Sequence, residues 1–180
     1  AIDGNTLYAI KGTPYKLARA PASDGRVELC AVSLNDGEEL WSHAIDDDYT
    51  GGTFAVKDSH LVYHSTSGLT CVDSASGKVS WIESVPIPKA PPTTDEASRA
   101  KRRGKKPAAS AEFSANVHPT LVLSDDILLC GIHGSVTAKS LVDGSTLWSE
   151  PAGQNYMKST DIFVADGLVW SRDLKGRDAA

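Results

Sequence analysis

The segment Cys71-Val-Asp-Ser-Ala-Ser-Gly77-Lys-Val-Ser-Trp81 occurs three times in related form along this chain of 180 residues. The other two copies are Ala31-Val-Ser-Leu-Asn-Asp-Gly37-Glu-Glu-Leu-Trp41 and Ala138-Lys-Ser-Leu-Val-Asp-Gly144-Ser-Thr-Leu-Trp148. The first two tryptophans are 40 residues apart, and the second and third are 67 apart, which is the same period with an insertion of 27 residues. A period of about 40 residues indicates a repeat architecture.

Each copy has the composition of a β-hairpin. The glycine supplies a residue that readily adopts positive φ in a tight turn, and the flanks are rich in Val, Leu, Thr and Trp, as strands are. Two more strand-like runs precede the second copy, at residues 53–56 and 60–63, and similar pairs occur before the third copy and near the end of the chain. Four short strands per repeat are typical of one β-propeller blade. The sequence therefore predicts an all-β protein made of four-stranded antiparallel blades.

The repeat resembles the tryptophan-docking motif of PQQ-like β-propellers, the quinoprotein alcohol dehydrogenase-like superfamily, whose usual form is Ala-x-Asp-x-x-Thr-Gly-Lys-x-x-Trp. The second copy, with Asp73, Gly77, Lys78 and Trp81, is the most similar. The resemblance implies that the tryptophan of one blade packs on the neighbouring blade, where glycine leaves room for the indole. It assigns a structural docking role to Gly37, Trp41, Gly77, Trp81, Gly144 and Trp148.

The spacing predicts about three and a half blades in a single domain. Blade 1 covers about 1–45, blade 2 about 51–84, blade 3 about 117–150 and a partial blade 4 about 159–180. The first copy is expected to lack its first strand, or to have it before residue 1. Closed propellers typically have 4–8 blades, and the family that the repeat resembles usually has seven or eight. We therefore expect a fragment of a larger propeller, or a chain that closes with other chains.

Residues 86–112 differ in composition from the rest of the chain. They contain seven Lys or Arg, three Asp or Glu, five prolines and no aromatic residue, whereas the whole chain has a net charge of −5. This composition predicts a disordered basic insertion. Such an insertion is either a plain solvated loop or an arm for an anionic partner, such as a membrane surface, nucleic acid or an acidic protein. Without aromatic residues to stack on bases, no specific nucleic-acid recognition is expected.

Successive connections in a blade alternate between two sides of the propeller, so the long links 11–25 and 86–112 and the shorter link 154–158 should share one side. Loops longer than about 12 residues tend to be functional or disordered. This side is the candidate contact face, and the residues assigned to it are Tyr15, Lys16, Arg19, Arg102, Arg103, Asn155, Tyr156 and Lys158.

Metal and catalytic sites find little support in the sequence. Asp46 and Asp48 are spaced as in a calcium loop, but Lys57 stands where such a loop needs glutamate, so they remain candidates only for a looser site. His60 and His64 lie on a predicted strand about 13 Å apart and cannot share a metal by themselves. The three separated cysteines are expected to be buried. No hydrolase, zinc-protease, P-loop or dinucleotide-binding signature occurs, so no catalytic residue is assigned.

The first functional hypothesis is a non-catalytic propeller segment that serves as a protein- or ligand-binding scaffold, without a cofactor. Its partner would be another protein or the remaining blades of the same propeller. The resemblance implies a bacterial envelope protein, located in the periplasm or cell envelope. The alternative is a fragment of a PQQ-dependent quinoprotein dehydrogenase using PQQ and Ca²⁺, or a propeller accessory domain of a multidomain enzyme. Many of those dehydrogenases cap the quinone with two adjacent cysteines, and this chain has none, since Cys30, Cys71 and Cys130 are all single. No run of 18 apolar residues is present to predict a transmembrane helix.

Overall fold

The computed structural model describes residues 1–12, 27–45, 49–65, 68–84, 119–132, 134–153 and 160–172. These residues form strands and tight turns, and no helix among them is long and apolar enough to span a membrane. The strands of the first sheet are β1 (Ile2–Asp3), β2 (Thr6–Lys11), β3 (Val27–Ser33) and β4 (Glu39–Ile45). Those of the second sheet are β5 (Tyr49–Lys57), β6 (His60–Ser65), β7 (Gly68–Asp73) and β8 (Val79–Ser84). The third sheet contains β9 (Thr120–Ser124), β10 (Ile127–Ile132), β11 (Ser135–Ser140) and β12 (Thr146–Pro151), and the fourth contains β13 (Ile162–Ala165) and β14 (Leu168–Ser171).

Every sheet is an antiparallel meander in chain order. Three sheets have four strands and the last has two within the described residues. The prediction of an all-β chain with about three and a half propeller blades is therefore confirmed. One detail was wrong: the first copy does have a first strand, because Ile2 and Asp3 pair with Leu7 and Thr6 across a turn in which Gly4 has a φ of 55°.

The repeat in the sequence is also a repeat in strand register. Trp41 pairs with Ala31, Trp81 with Cys71 and Trp148 with Ala138, and each pair is followed at once by a shift in register. Such a shift leaves an extra residue on one strand and increases the local twist. The three outer hairpins therefore share one geometry, so corresponding residues in different sheets can be compared directly.

Three apolar clusters lie between consecutive sheets. Because side chains alternate along a strand, neighbouring residues of one strand serve different clusters. Leu61 packs into the cluster with the first sheet, whereas Val62, the next residue, packs into the cluster with the third. A third cluster joins Leu129 and Ala138 to Ile162 on the fourth sheet. Each middle sheet is thus apolar on both faces, which holds the blades in a stack.

The ends of the strands define two sides of the stack. On one side, here called the turn side, lie the tight turns that join the first strand to the second in all four sheets, and the third to the fourth in the three four-stranded sheets. Asp58, Asp125 and Asp166 adopt positive φ values of 52°, 47° and 52° in the first kind of turn, where aspartate is tolerated. On the opposite side, the connection side, β2 ends, β3 begins, β8 ends and β9 begins.

Candidate functional site

The first joint between blades is built by Trp41. Its ring lies against Gly77 of the second sheet, where a Cβ would come within 2.5 Å of Trp41 Cε3. Its Nε1–H donates a hydrogen bond to the carbonyl oxygen of Ser74 at 2.9 Å. The hydroxyl of Tyr8 donates to the same oxygen at 3.3 Å, and the rings of Tyr8 and Trp41 are 6.1 Å apart between centroids. One carbonyl of the second sheet therefore receives two aromatic donors from the first.

The second joint repeats this arrangement between the second and third sheets. Trp81 lies against Gly144, where a Cβ would come within 2.8 Å of Trp81 Cε3. Trp81 Nε1–H donates to the carbonyl oxygen of Leu141 at 2.7 Å. In both joints the accepting carbonyl belongs to the residue three positions before the glycine. Only 9% of the Trp81 surface is exposed, so this hydrogen bond is formed in an environment with little water.

A polar contact accompanies each joint, two residues after the tryptophan. At the first joint, His43 Nε2 lies 3.1 Å from the hydroxyl of Tyr63. At the second, Lys139 Nζ donates to Glu83 Oε1 at 2.7 Å and to the hydroxyl of Thr146 at 2.9 Å. The Lys139 side chain is only 7% exposed, so its charge requires this carboxylate.

The two remaining docking residues occupy the ends of the series. The residue Trp148 is 39% exposed. Gly37 has a φ of 77°, like its counterparts, but no atom lies within 4 Å of the position that its Cβ would take. Among the described residues, therefore, Trp41 and Trp81 are packed on a glycine of the following sheet. Trp148 is not packed in this way, and Gly37 receives no tryptophan.

The three cysteines lie in three different sheets, and all are buried, as expected, with free thiols. Burial raises the pKa of the Cys130 thiol to about 12, with Lys139 opposing the effect, and raises that of Cys71 to about 11, with a smaller contribution from Asp73. Both thiols are therefore protonated at neutral pH and sit in the apolar interior. Since they are in separate sheets, the thiols provide no adjacent pair for capping a quinone.

Asp73 and Asp143, in the turns between the third and fourth strands, have pKa values that are lowered instead of raised. The hydroxyl and the backbone N–H of Ser76 both donate to Asp73 Oδ1, at 2.5 and 2.8 Å, and hold the pKa of that carboxyl below its usual value. Ser145 does the same for Asp143. These carboxylates stabilise the turns that receive the tryptophans.

The residues proposed from the sequence for the contact face and for a metal lie outside the described part of the chain. They are Tyr15, Lys16, Arg19, Asp46, Asp48, Arg102, Arg103, Asn155, Tyr156 and Lys158. The insertion 86–112 is outside it as well. No group of three or more His, Cys, Asp or Glu side chains suited to a metal ion occurs among the described residues.

Sequence reasoning missed the polar half of each joint. The carbonyls of Ser74 and Leu141 carry no side-chain signature, so they could not have been found. The ion pair of Lys139 with Glu83 did leave a signal, because Lys139 follows the residue paired with tryptophan, where the other copies have Val32 and Val72. A charged residue at an otherwise apolar position indicates a specific buried partner.

Comparison with known proteins places this geometry in a family. A family model described as "Outer membrane protein assembly factor BamB" matches residues 23–157. The search of curated proteins found no match. Among solved structures, BamB from Moraxella catarrhalis superposes with a TM-score of 0.53 at 16% identity over 82% of this chain and 42% of that one.

Two further structures have the same fold. The computationally designed Ika8 protein gives a TM-score of 0.56 at 15% identity over 95% of this chain and 41% of its own. A europium-containing methanol dehydrogenase gives 0.53 at 14% identity over 86% and 24%, respectively. The chain thus spans less than half the length of each of these structures. The family match over most of the chain, together with the repeated joints, establishes that the chain belongs to the PQQ-like β-propeller repeat proteins of the BamB family.

Proposed function

We propose that the chain is a non-catalytic, protein-binding scaffold of the bacterial cell envelope, facing the periplasm, and that partners bind on its connection side. The observation that carries the proposal is topological. The strands that flank the gaps 13–26 and 85–118 end or begin on this one side of the stacked sheets. The turn side, by contrast, has short turns held by backbone hydrogen bonds, such as that from Ser74 N–H to the carbonyl of Ser59.

The joints between the blades supply the rigidity that a binding scaffold needs. Two tryptophans are fixed by close packing and by a hydrogen bond each, and the second joint adds a buried ion pair. Blades connected in this way keep the ends of the long connections at constant separations. Binding residues are commonly found on loops held by a rigid framework. The residues that we assign to the contact are Tyr15, Lys16, Arg19, Arg102, Arg103, Asn155, Tyr156 and Lys158.

The basic insertion has a specific role in this proposal. With a net charge of +4 on an otherwise acidic chain, residues 86–112 would attract an anionic surface of the partner or of the membrane. This attraction acts mainly on the rate of association and weakens as salt is added.

Site-specific photo-crosslinking in the chain tests the choice of side. A photoreactive phenylalanine analogue is placed at Tyr15 or Tyr156 on the connection side, and at Asp36 or Asp166 on the turn side as matched controls. Crosslinking to envelope proteins from the first pair and little from the second is expected. Crosslinks confined to the turn side would contradict the proposal. A rise in melting temperature with PQQ and Ca²⁺, absent with Ca²⁺ alone, would favour the dehydrogenase alternative instead.

A further inference from the structure

The connections between consecutive sheets differ greatly in length. Three residues, 46–48, separate β4 from β5, whereas 35 residues, 85–119, separate β8 from β9. The entropic cost of bringing the ends of a connection together increases with its length, and a three-residue link restricts the next strand to positions close by. Chain connectivity therefore places the second sheet beside the first. The contacts between the second and third sheets have to place the third sheet.

Two ion pairs cross the contact between the second and third sheets. Lys139 Nζ of the third sheet binds Glu83 Oε1 of the second at 2.7 Å. Lys57 Nζ of the second sheet lies 3.4 Å from Asp125 Oδ1 of the third. Within the described part of the chain, these are the ion pairs that join different sheets. The second sheet therefore supplies the anion of one pair and the cation of the other.

The two ion pairs lie at opposite corners of the contact. Lys57 is the last residue of β5, the first strand of the second sheet, and lies on the turn side. Glu83 is next to the last residue of β8, the fourth strand, and lies towards the connection side. A third sheet rotated by half a turn in the plane of the contact would place Lys139 opposite Lys57. Like charges placed opposite each other disfavour a wrong arrangement, so the two pairs specify one orientation.

Apolar side chains from both sheets fill the area between the ion pairs. The Lys139 side chain is only 7% exposed and borders this apolar area, whereas Asp125 is 93% exposed at the rim. An apolar centre with a polar rim is also the composition of an interface between separate proteins. The buried members of the cluster are Val62, Leu69, Cys71 and Trp81 of the second sheet, and Leu128, Cys130 and Leu141 of the third.

We propose that this contact is a self-sufficient recognition interface, through which the parts 1–84 and 119–180 remain bound to each other when the connection between them is cut. The two parts then form a non-covalent complex. The apolar cluster supplies the affinity, and the two ion pairs of opposite polarity fix the orientation. Cleavage within the connection therefore leaves both parts in place. This inference does not depend on the scaffold proposal.

Cleavage of the full chain at one position tests the proposal. A recognition sequence for a site-specific protease is inserted between Ser98 and Arg99, and the folded protein is cut and passed through a size-exclusion column. The two parts are expected to elute together at the volume of the intact chain, and to separate only in denaturant. Separation of the parts on cutting would overturn the proposal. So would a resistance to cleavage that denaturant removes, because the connection would then be packed on the sheets.

Charge variants of the cleavable chain distinguish recognition by the ion pairs from apolar packing alone. Glu83→Lys places two ammonium groups together in a nearly buried position, and should weaken the association of the cut parts about a hundredfold or more. Exchanging the pair, by Glu83→Lys with Lys139→Glu, should restore the association. Glu150→Lys is the matched control: Glu150 has the register of Glu83 but belongs to the third sheet, on the face away from the second, so association should not change.

Circular dichroism of the uncut variants checks that each one folds, because an intact connection keeps the two parts at a high effective concentration even when their interface is weakened. Sedimentation of the cut chains over a range of concentrations measures the dissociation constant of each variant. Equal association of the parts in Glu83→Lys and in the unchanged chain would overturn the proposal. Failure of the exchanged pair to restore the association would overturn it as well.

Discussion

The ring of Trp41 lies so close to the Cα of Gly77 that a Cβ at this position would come within 2.5 Å of Cε3. Gly77 also has a φ of 69°, in the left-handed region. Glycine is therefore required here for two separate reasons, space and backbone conformation. The same two requirements hold for Gly144 beneath Trp81. At Gly37 only the conformational requirement holds, since nothing lies near its missing Cβ.

This difference makes Gly77→Ala and Gly37→Ala a matched pair. Left-handed backbone costs an L-residue about 1–2 kcal/mol, and forcing an extra methyl into a packed contact costs about 1–3 kcal/mol more. We expect Gly77→Ala to reduce the free energy of unfolding by about 2–5 kcal/mol, and Gly37→Ala by about 1–2 kcal/mol. Urea denaturation followed by circular dichroism measures both, and equal losses would show that the indole does not restrict this position.

The second prediction follows from the different solvent exposure of Trp81 and Trp148. Trp81→Ala should lower the free energy of unfolding by about 3–5 kcal/mol, because it empties a buried site and removes the hydrogen bond to Leu141. Trp148→Ala should cost about 1 kcal/mol or less, since the ring is already partly in water. Chemical denaturation of the two variants checks the ranking. A loss below about 1 kcal/mol for Trp81→Ala would show that Trp81 does not stabilise the contact between the second and third sheets.

The contribution of the N–H group can be separated from that of the ring. Trp81→Phe keeps an aromatic side chain in the joint but leaves the Leu141 carbonyl without its donor. An unpaired buried acceptor costs about 1–3 kcal/mol. The variant should therefore fall between the wild type and Trp81→Ala, and stability equal to that of the wild type would mean that the carbonyl finds another donor.

The blades could be predicted from sequence because their signal is local. A turn glycine followed four residues later by tryptophan combines a backbone requirement with a large apolar side chain, and both recur with one period. The first strand was missed because Ile2 and Asp3 are too few to produce an alternating pattern. The pair of Glu83 and Lys139 was missed because its members are 56 residues apart and meet only when two sheets stack.

The candidate site was less accessible to sequence reasoning than the fold. Shared location of the long connections follows from strand alternation alone. The side chains that contact a partner are determined by the conformation of these connections. The sequence around Tyr15 or Arg102 has no periodic pattern from which that conformation could be predicted. The docking residues, in contrast, are fixed by the sheets themselves.

Replacing both members of the ion pair at the second joint should cost little stability, whereas removing only Glu83 should cost more. Glu83→Ala leaves the nearly buried ammonium of Lys139 without its carboxylate, and we expect a loss of about 2–3 kcal/mol, moderated because Glu83 is 35% exposed. Combining Glu83→Ala with Lys139→Val should restore stability to near the wild-type value, since valine occupies the position of Lys139 in the other two copies. A double-mutant cycle measures the coupling, and simple additivity of the two changes would exclude a joint role.

The lowered pKa of Asp73 makes the stability of the chain depend on pH. The hydroxyl of Ser76, and then its backbone N–H, lower the pKa of Asp73 in the folded chain. Because the folded pKa lies below the unfolded one, the stabilisation is complete above the unfolded value and is lost as pH falls through the folded value. Wild-type stability should therefore decrease below about pH 4.

Ser76→Ala removes the stronger donor and leaves the carboxylate in place, so the folded pKa of Asp73 should rise toward that of the unfolded chain. The variant should lose stability at pH 7, and its difference from the wild type should shrink at pH 3, below the ordinary pKa of an aspartate. Ser145→Ala should act in the same way on Asp143, whose turn receives Trp81 rather than Trp41. Urea midpoints at the two pH values provide the measurement, and a loss independent of pH would mean that each serine supports its turn without involving the carboxylate charge.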